Sequence, residues 1–227
     1  MGMLRQFAPD VWISEQPQRY LGVELGIRMT VVRVANGGLF VHSPIRLVPA
    51  LRSELEAIAP VRFIVAPNRF HHLFAAEFAR SWPEAELYCA PGLEKKRPDL
   101  KGVVLGDDPP AGWAGSIDQI VFRAFPPLNE VNFFHRSSRT LILTDLLFNF
   151  SDSHSGWTKI ALALDGGLHG PSVPRSFRTM LRFKKRQCRP LLNRILEWDF
   201  DRIVLAHGEP IIRDAKSIFA TTWSFVK

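Results

Sequence analysis

The sequence predicts an α+β domain of mixed β-sheets with helices on their outer faces. Three observations lead there. Strands come first as hairpins, then alternate with helices, then repeat that order, and helix-covered mixed sheets satisfy this succession best. Helical stretches carry apolar residues three and four apart between prolines, whereas strand-like stretches are short apolar runs stopped by Pro or Gly. A chain of 227 residues that is 46% hydrophobic, with 17 Phe and 6 Trp, can bury one sizeable core. A single domain over 1–227 is then the simplest count, and a disordered chain is excluded.

The elements follow in order. Residues 23–34 hold β-branched and apolar side chains, 35–38 (Ala-Asn-Gly-Gly) form a turn, and 39–42 make the return strand. Residues 49–59 read as a helix, with Leu51, Leu55 and Ile58 on one face. Pro49 suits the first turn because its missing N–H is not needed there, and Pro60 stops the helix. A buried strand at 62–66 ends at Pro67, and a helix at 73–82 carries Phe74 and Phe78 four apart before Pro83. Residues 86–90 are a strand and 93–115, rich in Pro and Gly, are mostly loop. Strands are expected at 117–125, 130–135 and 140–145, and irregular chain at 149–174. A helical stretch over 174–198, kinked near Pro190, leads to a strand at 202–206 and a last helix at 214–224. No internal repeat or low-complexity tract is present.

The net charge of +7 is unevenly placed. No acid occurs from Gly166 to Leu196, where Arg175, Arg178, Arg182, Lys184, Lys185, Arg186, Arg189 and Arg194 all fall. This basic run over 175–194 reads first as a solvated helix face, and second as a contact for phosphate, nucleic acid or an acidic partner. Because few aromatics interleave with the charges, a nucleic-acid partner is not expected. Cys89 and Cys188 have neither zinc-finger spacing nor a disulfide framework. The chain start lacks a signal-length apolar core, and Gln6 stands where a myristoylation signal on Gly2 would want Ser or Thr. No apolar run approaches the roughly 20 residues that span a bilayer. The expectation is a cytoplasmic protein with no membrane partner, of open oligomeric state.

Three strands end in side chains able to coordinate a metal. The first runs into His71 and His72, the second into Asp145, the third into His207 and Gly208. In α/β folds polar side chains converge at strand carboxyl ends, where the chain leaves the core. Three histidines and a carboxylate there form an N/O set for a divalent metal. Each piece alone also reads as a turn residue or a hydrogen-bonded core histidine, and Asp145 as a turn cap.

The order of these pieces resembles the metallo-β-lactamase superfamily over nearly the whole chain. Residues 39–44 fall where that family has its first Asp-bearing strand. Residues 64–74 (Ile-Val-Ala-Pro-Asn-Arg-Phe-His-His-Leu-Phe) fall where it has Thr-His-x-His-x-Asp-His before a helix. Residues 80–90 resemble its helix-to-strand passage, 132–148 its hairpin with the bridging aspartate, and 201–210 its last ligand motif. The His-His-Leu-Phe and Ala-His-Gly signatures are similar to an uncharacterised bacterial and plant branch known only as a domain of unknown function. The resemblance implies a four-layer αββα sandwich of two mixed β-sheets flanked by helices.

The departures are equally specific. Pro67 and Arg69 stand at the first two His positions, no His occurs near Pro126 where a third ligand belongs, and His42 replaces the early Asp. One metal site is therefore implied to be lost. At the other, the matching positions hold His71, His72, Asp145 and His207. Four ligands would close a structural site, whereas three would leave a position for water. The implied cofactor is one divalent transition metal (zinc, iron or manganese), or none. Arg69 is a candidate for a substrate carboxylate or phosphate, unless it pairs with Asp145. Glu130 and Asn129 either reach the pocket or stabilise their turn, and His154 and His169 either touch substrate or are solvated. His135, at a hairpin turn, receives no role. Two functions follow: a degenerate-site, metal-dependent hydrolase of esters, thioesters or amides of a small or anionic molecule, or a non-catalytic binding or scaffold protein. Ribonuclease and β-lactamase action are not expected.

Overall fold

A computed structural model describes residues 3–151, 154, 156–168 and 170–226. The chain opens with a hairpin, β1 (Arg5–Ala8) and β2 (Val11–Gln16), turned through Asp10. A short pair, β3 (Arg19–Tyr20) and β4 (Val23–Glu24), precedes β5 (Ile27–Arg33), which returns as β6 (Leu39–His42). Strands and helices then alternate as α1 (Pro49–Ile58), β7 (Val61–Ala66), α2 (Ala75–Ser81), β8 (Glu86–Cys89), α3 (Leu93–Lys96) and β9 (Val103–Val104). These strands build a seven-stranded sheet in the order β1-β2-β5-β6-β7-β8-β9, antiparallel as far as β6 and parallel beyond it.

The second half repeats the scheme. Strands β10 (Ile117–Phe122), β11 (Glu130–His135) and β12 (Thr140–Ile142) form a meander. After it come β13 (Phe148–Phe150), α4 (Gly156–Asp165), β14 (Gly170–Ser172), α5 (Arg175–Arg182), α6 (Lys185–Glu197), β15 (Arg202–Val204) and α7 (Ala215–Thr222). Strand β15 pairs parallel with β12, closing a four-stranded sheet β10-β11-β12-β15, and β13 pairs with β14.

Alternation along the strands sorts the core into layers. Val32, Phe40, Phe63 and Val65 of the larger sheet meet Ile117, Val121, Val131, Phe133 and Ile142 of the smaller one, with Trp113 between them. The opposite face of the larger sheet (Met29, Val31, Leu39, Val41, Ile64) packs on Leu51 and Leu55 of α1 and Phe78 of α2. The opposite face of the smaller sheet (Ile120, Phe122, Phe134, Leu141) packs on Leu181 of α5, Cys188, Leu192 and Ile195 of α6, and Phe219 of α7. Helix, sheet, sheet and helix are the four layers, so the expected αββα architecture is present. Cys89 and Cys188 are free and buried. No helix among the described residues is long and apolar enough to cross a membrane.

Several boundaries differ from the sequence reading. The β1–β2 hairpin was not expected, because Arg5 and Gln6 on the edge strand are exposed and blur the apolar alternation. The predicted strand 23–34 breaks at Gly26, whose φ of 62° turns the chain. The 93–115 loop contains α3 and β9, and the irregular 149–174 stretch contains α4. That helix keeps Trp157, Ile160 and Leu164 in solvent, so its apolar spacing does not mark its buried side. The 174–198 helix is two helices, and the break falls at Phe183–Lys184 rather than at Pro190, which sits inside α6. There the N–H of Lys184 closes α5 on the Leu181 carbonyl (2.9 Å) while its own carbonyl starts α6 by accepting from Cys188 (3.0 Å).

The inter-sheet layer depends on large aromatic side chains. Phe40 is fully buried, edge-on to Trp113 (5.0 Å between ring centroids) and to Phe133 (5.2 Å). Phe40→Ala leaves a cavity between two sheets that cannot both relax into it, and is expected to cost about 3–5 kcal/mol in chemical denaturation. A loss under about 1 kcal/mol would mean that this layer does not hold the sheets together.

Candidate metal centre

The chemistry-bearing residues meet where β7, β12 and β15 end. Pro67 ends β7, and its carbonyl accepts from the N–H of Val131 (2.8 Å) in the other sheet. Asn68 follows, fully buried, and its carboxamide is used completely. Its Oδ1 accepts from the N–H groups of Phe70 (2.7 Å) and His71 (2.8 Å), folding the chain into an Asx turn. Its Nδ2 donates to Thr144 Oγ1 (2.8 Å) and Asp145 Oδ2 (2.7 Å) beyond β12. This turn aims His71 at Asp145.

Asp145 is fixed from behind. The Glu130 carboxylate, at the start of β11, accepts from the N–H of Thr144 (2.8 Å) and of Asp145 (2.7 Å). Burial, and then the Asp145 charge, raises the Glu130 carboxyl above its ordinary range. Burial would raise Asp145 too, but His71 and His207 beside it, when they carry an additional proton, hold its carboxyl below the ordinary range.

His207 follows β15. Its Nδ1 bonds to the Gly26 carbonyl at 2.8 Å. A carbonyl only accepts, so Nδ1 carries the proton and Nε2 of the neutral ring is a bare lone pair. Gly208 has φ of 82°, and a Cβ there would stand 2.1 Å from the Asn149 carbonyl oxygen. Only glycine lets β13 cross this closely, with the Asn149 N–H on the His207 carbonyl (3.3 Å). From below, buried Arg28 donates to the carbonyls of Leu205 and Gly208 and to Glu15.

Three donor atoms converge. His71 Nε2 is 3.2 Å from His207 Nε2 and 3.5 Å from Asp145 Oδ2, and His207 Nε2 is 3.2 Å from Asp145 Oδ1. His71 Nδ1 lies 2.8 Å from Ser43 Oγ, and when that hydroxyl accepts, the second Nε2 is bare as well. Two lone pairs and a carboxylate facing one point repel each other unless a cation or an additional proton sits among them. A divalent transition metal fits this donor set.

His72 stands outside the cluster. Its Nδ1 accepts from Arg97 Nη1 (3.0 Å), and burial, then Lys96 and Arg97, lowers its pKa to about 4. Arg69 does not pair with Asp145; its Nη1 donates to the Pro126 carbonyl (3.3 Å), and its buried Nε has no partner among the described residues. Asn129, with φ of 46°, donates to the Pro91 carbonyl (3.0 Å) and stabilises its turn. His154 packs edge-on to Phe150 and lines a cavity of about 500 Å3 with Glu15, Gly26, Arg28 and Gly208. His169 lies outside the described residues. His42 is buried edge-on to Phe133, and neither ring nitrogen has a partner among the described residues. The bracing by Ser43, Gly26 and Arg28 was not read from the sequence, since nothing local marks residues whose partners lie 28 to 181 residues away. The Asn68 turn had a signal in Pro-Asn before an aromatic and two histidines.

Comparisons identify the fold. A family described as a domain of unknown function (DUF4336) matches residues 9–95. No curated protein matches the sequence. Among solved structures, the chain superposes on the DIM-1 metallo-β-lactamase exposed to ceftazidime with a TM-score of 0.66 and 11% identity, over 100% of this chain and 98% of that one. It superposes on the mono-zinc form of the FIM-1 enzyme from Pseudomonas aeruginosa with a TM-score of 0.64 and 10% identity, over 99% and 94%. A flavodiiron core from Synechocystis sp. PCC6803 gives 0.67 and 13% over 99% of this chain, which spans 60% of that core. The chain has the metallo-β-lactamase fold, as the sequence motifs led us to expect; identities this low speak to the fold alone.

Two substitutions test the construction of the site. Gly208→Ala puts a methyl against backbone that cannot swing aside, so a loss of about 2 kcal/mol or more is expected in urea denaturation. A neutral effect would mean that β13 does not lie over His207. For His42, burial first and His71 second depress the pKa from 6.5 to about 3. The unfolded chain then binds the extra proton, so its contribution to stability is full above about pH 6.5 and is lost as pH falls toward 3. His42→Leu should flatten that acid limb of the stability profile; an unchanged slope would show that His42 finds a proton partner when folded.

Proposed function

We propose that the protein is a hydrolase working with one divalent transition metal (zinc, iron or manganese), held by His71, Asp145 and His207. The observation that carries this reading is the convergence of His71 Nε2, His207 Nε2 and an Asp145 oxygen, with the His207 proton fixed on the far nitrogen. Three protein ligands leave a coordination position open, which suits catalysis better than a closed structural site. The mono-zinc neighbour supports a reading with a single ion in this fold. When bound, the ion supplies Lewis-acid polarisation to a carbonyl or phosphoryl oxygen.

The chain's own residues do the rest. Asn68 and Glu130 fix Asp145, Ser43 and Gly26 fix the two imidazoles, and Arg28 with Gly208 fixes the loop that carries His207. Such outer partners keep ligands in place before the ion arrives. Arg69, next to Asn68, brings a guanidinium whose Nη1 rests on the Pro126 carbonyl. We assign it the anionic group of the substrate, a carboxylate or phosphate bonded by the planar guanidinium. The substrate class is then a small anionic ester, thioester or amide.

A second reading, a binding or scaffold protein without catalysis, is favoured by the closure of the cluster, whose three residues are only 5–6% exposed. Metal content separates the two. Tag-free protein purified without chelator should carry about one equivalent of transition metal, lost in Asp145→Asn and His207→Ala and kept in His72→Ala. Added metal should raise the Tm of the wild type and not of the Asp145 variant. Wild-type protein that stays below about 0.1 equivalent after incubation with zinc, iron and manganese refutes the metalloenzyme and leaves the binding protein.

A further inference from the structure

The end of the sandwich remote from His71 holds a second crevice, of about 660 Å3. Its walls are the turns that close hairpins of both sheets: Asp10 between β1 and β2, residues 34–37 between β5 and β6, and Arg136 and Ser137 between β11 and β12. Strand β11 connects the two ends, with Glu130 on the Asp145 backbone and His135 in the crevice. Five residue steps of strand put them about 17 Å apart.

The polar groups of the β11–β12 turn form a chain whose proton order can be worked out. Thr140 Oγ1 donates to the Ser138 carbonyl (3.2 Å), which can only accept. The Ser138 hydroxyl therefore supplies the proton of its contact with Thr140 Oγ1 (2.8 Å). That leaves Ser138 Oγ to accept from His135 Nδ1 (2.7 Å), so the neutral ring is bare at Nε2. Ser137 Oγ lies 3.2 Å from Nε2 and donates to it. One order satisfies every contact, and it ends on an exposed serine whose hydroxyl proton already points at a base. Burial also lowers the His135 pKa, against a smaller opposing pull from Asp10, which keeps the ring neutral.

Two guanidinium groups flank this serine's crevice. Arg33 spends Nε and Nη2 on Asp10, and Arg136 spends Nε and Nη2 on Asp118. Each keeps Nη1 without a partner among the described residues. The turn is closed by the Arg139 N–H on the Arg136 carbonyl (3.1 Å), and the N–H groups of Ser137 and Ser138 have no backbone acceptor among the described residues.

We propose that this crevice is a second reactive site, in which Ser137 is a nucleophile toward small esters that carry an anionic group, with His135 as its base. Ser137 Oγ adds to the ester carbonyl carbon as its proton passes to His135 Nε2. The bond to the alcohol oxygen then breaks, and the proton on Nε2 goes to the departing alkoxide, leaving acyl-Ser137. Water gives a proton to the same nitrogen, attacks the acyl carbon and releases the carboxylic acid, and Ser137 recovers its proton. Arg33 and Arg136 hold the anionic group through their free Nη1 edges. No metal takes part, so this site stands independently of the His71 centre.

The probe is the 4-nitrophenyl monoester of a short dicarboxylic acid, mixed with the full chain in excess EDTA. Nitrophenolate release should be accompanied by one acyl group on the peptide containing Ser137, found by mass spectrometry of acid-quenched protein. Ser137→Ala, at an exposed position, should keep its Tm and lose the adduct. Thr140→Val, which removes the donor that sets the proton order, and His135→Gln should slow acylation by about 100-fold. Arg136→Gln should lower kcat/KM for the monoester about tenfold more than for neutral 4-nitrophenyl acetate. An adduct equally abundant in Ser137→Ala, or no adduct in the wild type, overturns the proposal.

Discussion

The Asn68 carboxamide spans the gap between the two sheets at the point where both would otherwise open. Its oxygen organises the turn after β7 in the larger sheet, and its nitrogen holds the segment after β12 in the smaller one. A buried amide left unpaired costs about 1–3 kcal/mol per group, so four satisfied contacts make this join energetically sharp. The placement of His71, the orientation of Asp145 and the use of Glu130 as a clamp on the Asp145 backbone all depend on it. No other side chain of this size offers two acceptor lone pairs and two donor hydrogens in one plane except glutamine, whose extra methylene would shift the turn.

Around that join the charge differs from the metallo-β-lactamase pattern that the sequence resembles. The positions at which a first metal would be held carry Pro67, Arg69 and Pro126, and the Arg69 guanidinium reaches the Pro126 carbonyl. Lys96 donates to the Arg69 carbonyl (2.7 Å), and Arg97 donates to His72. Fixed organic cations thus stand where the resemblance would put an inorganic one. The side of the site facing α3 stays positive whether or not a metal is bound at the other.

The layered fold was legible because its core strands are written as apolar runs with hard stops at Pro67, Pro91 and Gly208, and because three such runs end in ligand-type side chains. What escaped the sequence had physical reasons. His71 and His72 are neighbours, yet one faces Asp145 and the other Arg97, because successive side chains of a tight turn point apart. The Asn68 turn sets the direction of His71, and Arg97, 25 residues from His72, meets the ring that points the other way. Helix α4 was missed because the Gly, Ser and Pro residues around it read as irregular chain, and the β1–β2 hairpin because an edge strand need not alternate. His135, given no role from its place in a hairpin, gains one only from Ser138 and Thr140 once the turn is folded.

Arg28 lies on β5 and Gly26 just before it, and their partners Gly208 and His207 come 180 and 181 residues later. A ribosome adding about 5–20 residues per second needs roughly ten to forty seconds to cover that interval. Throughout it the nascent larger sheet holds a guanidinium and a carbonyl prepared for groups that have not been made. The candidate cluster therefore closes only after β15 has been made: a polypeptide arrested before it can assemble the larger sheet and still lack His207.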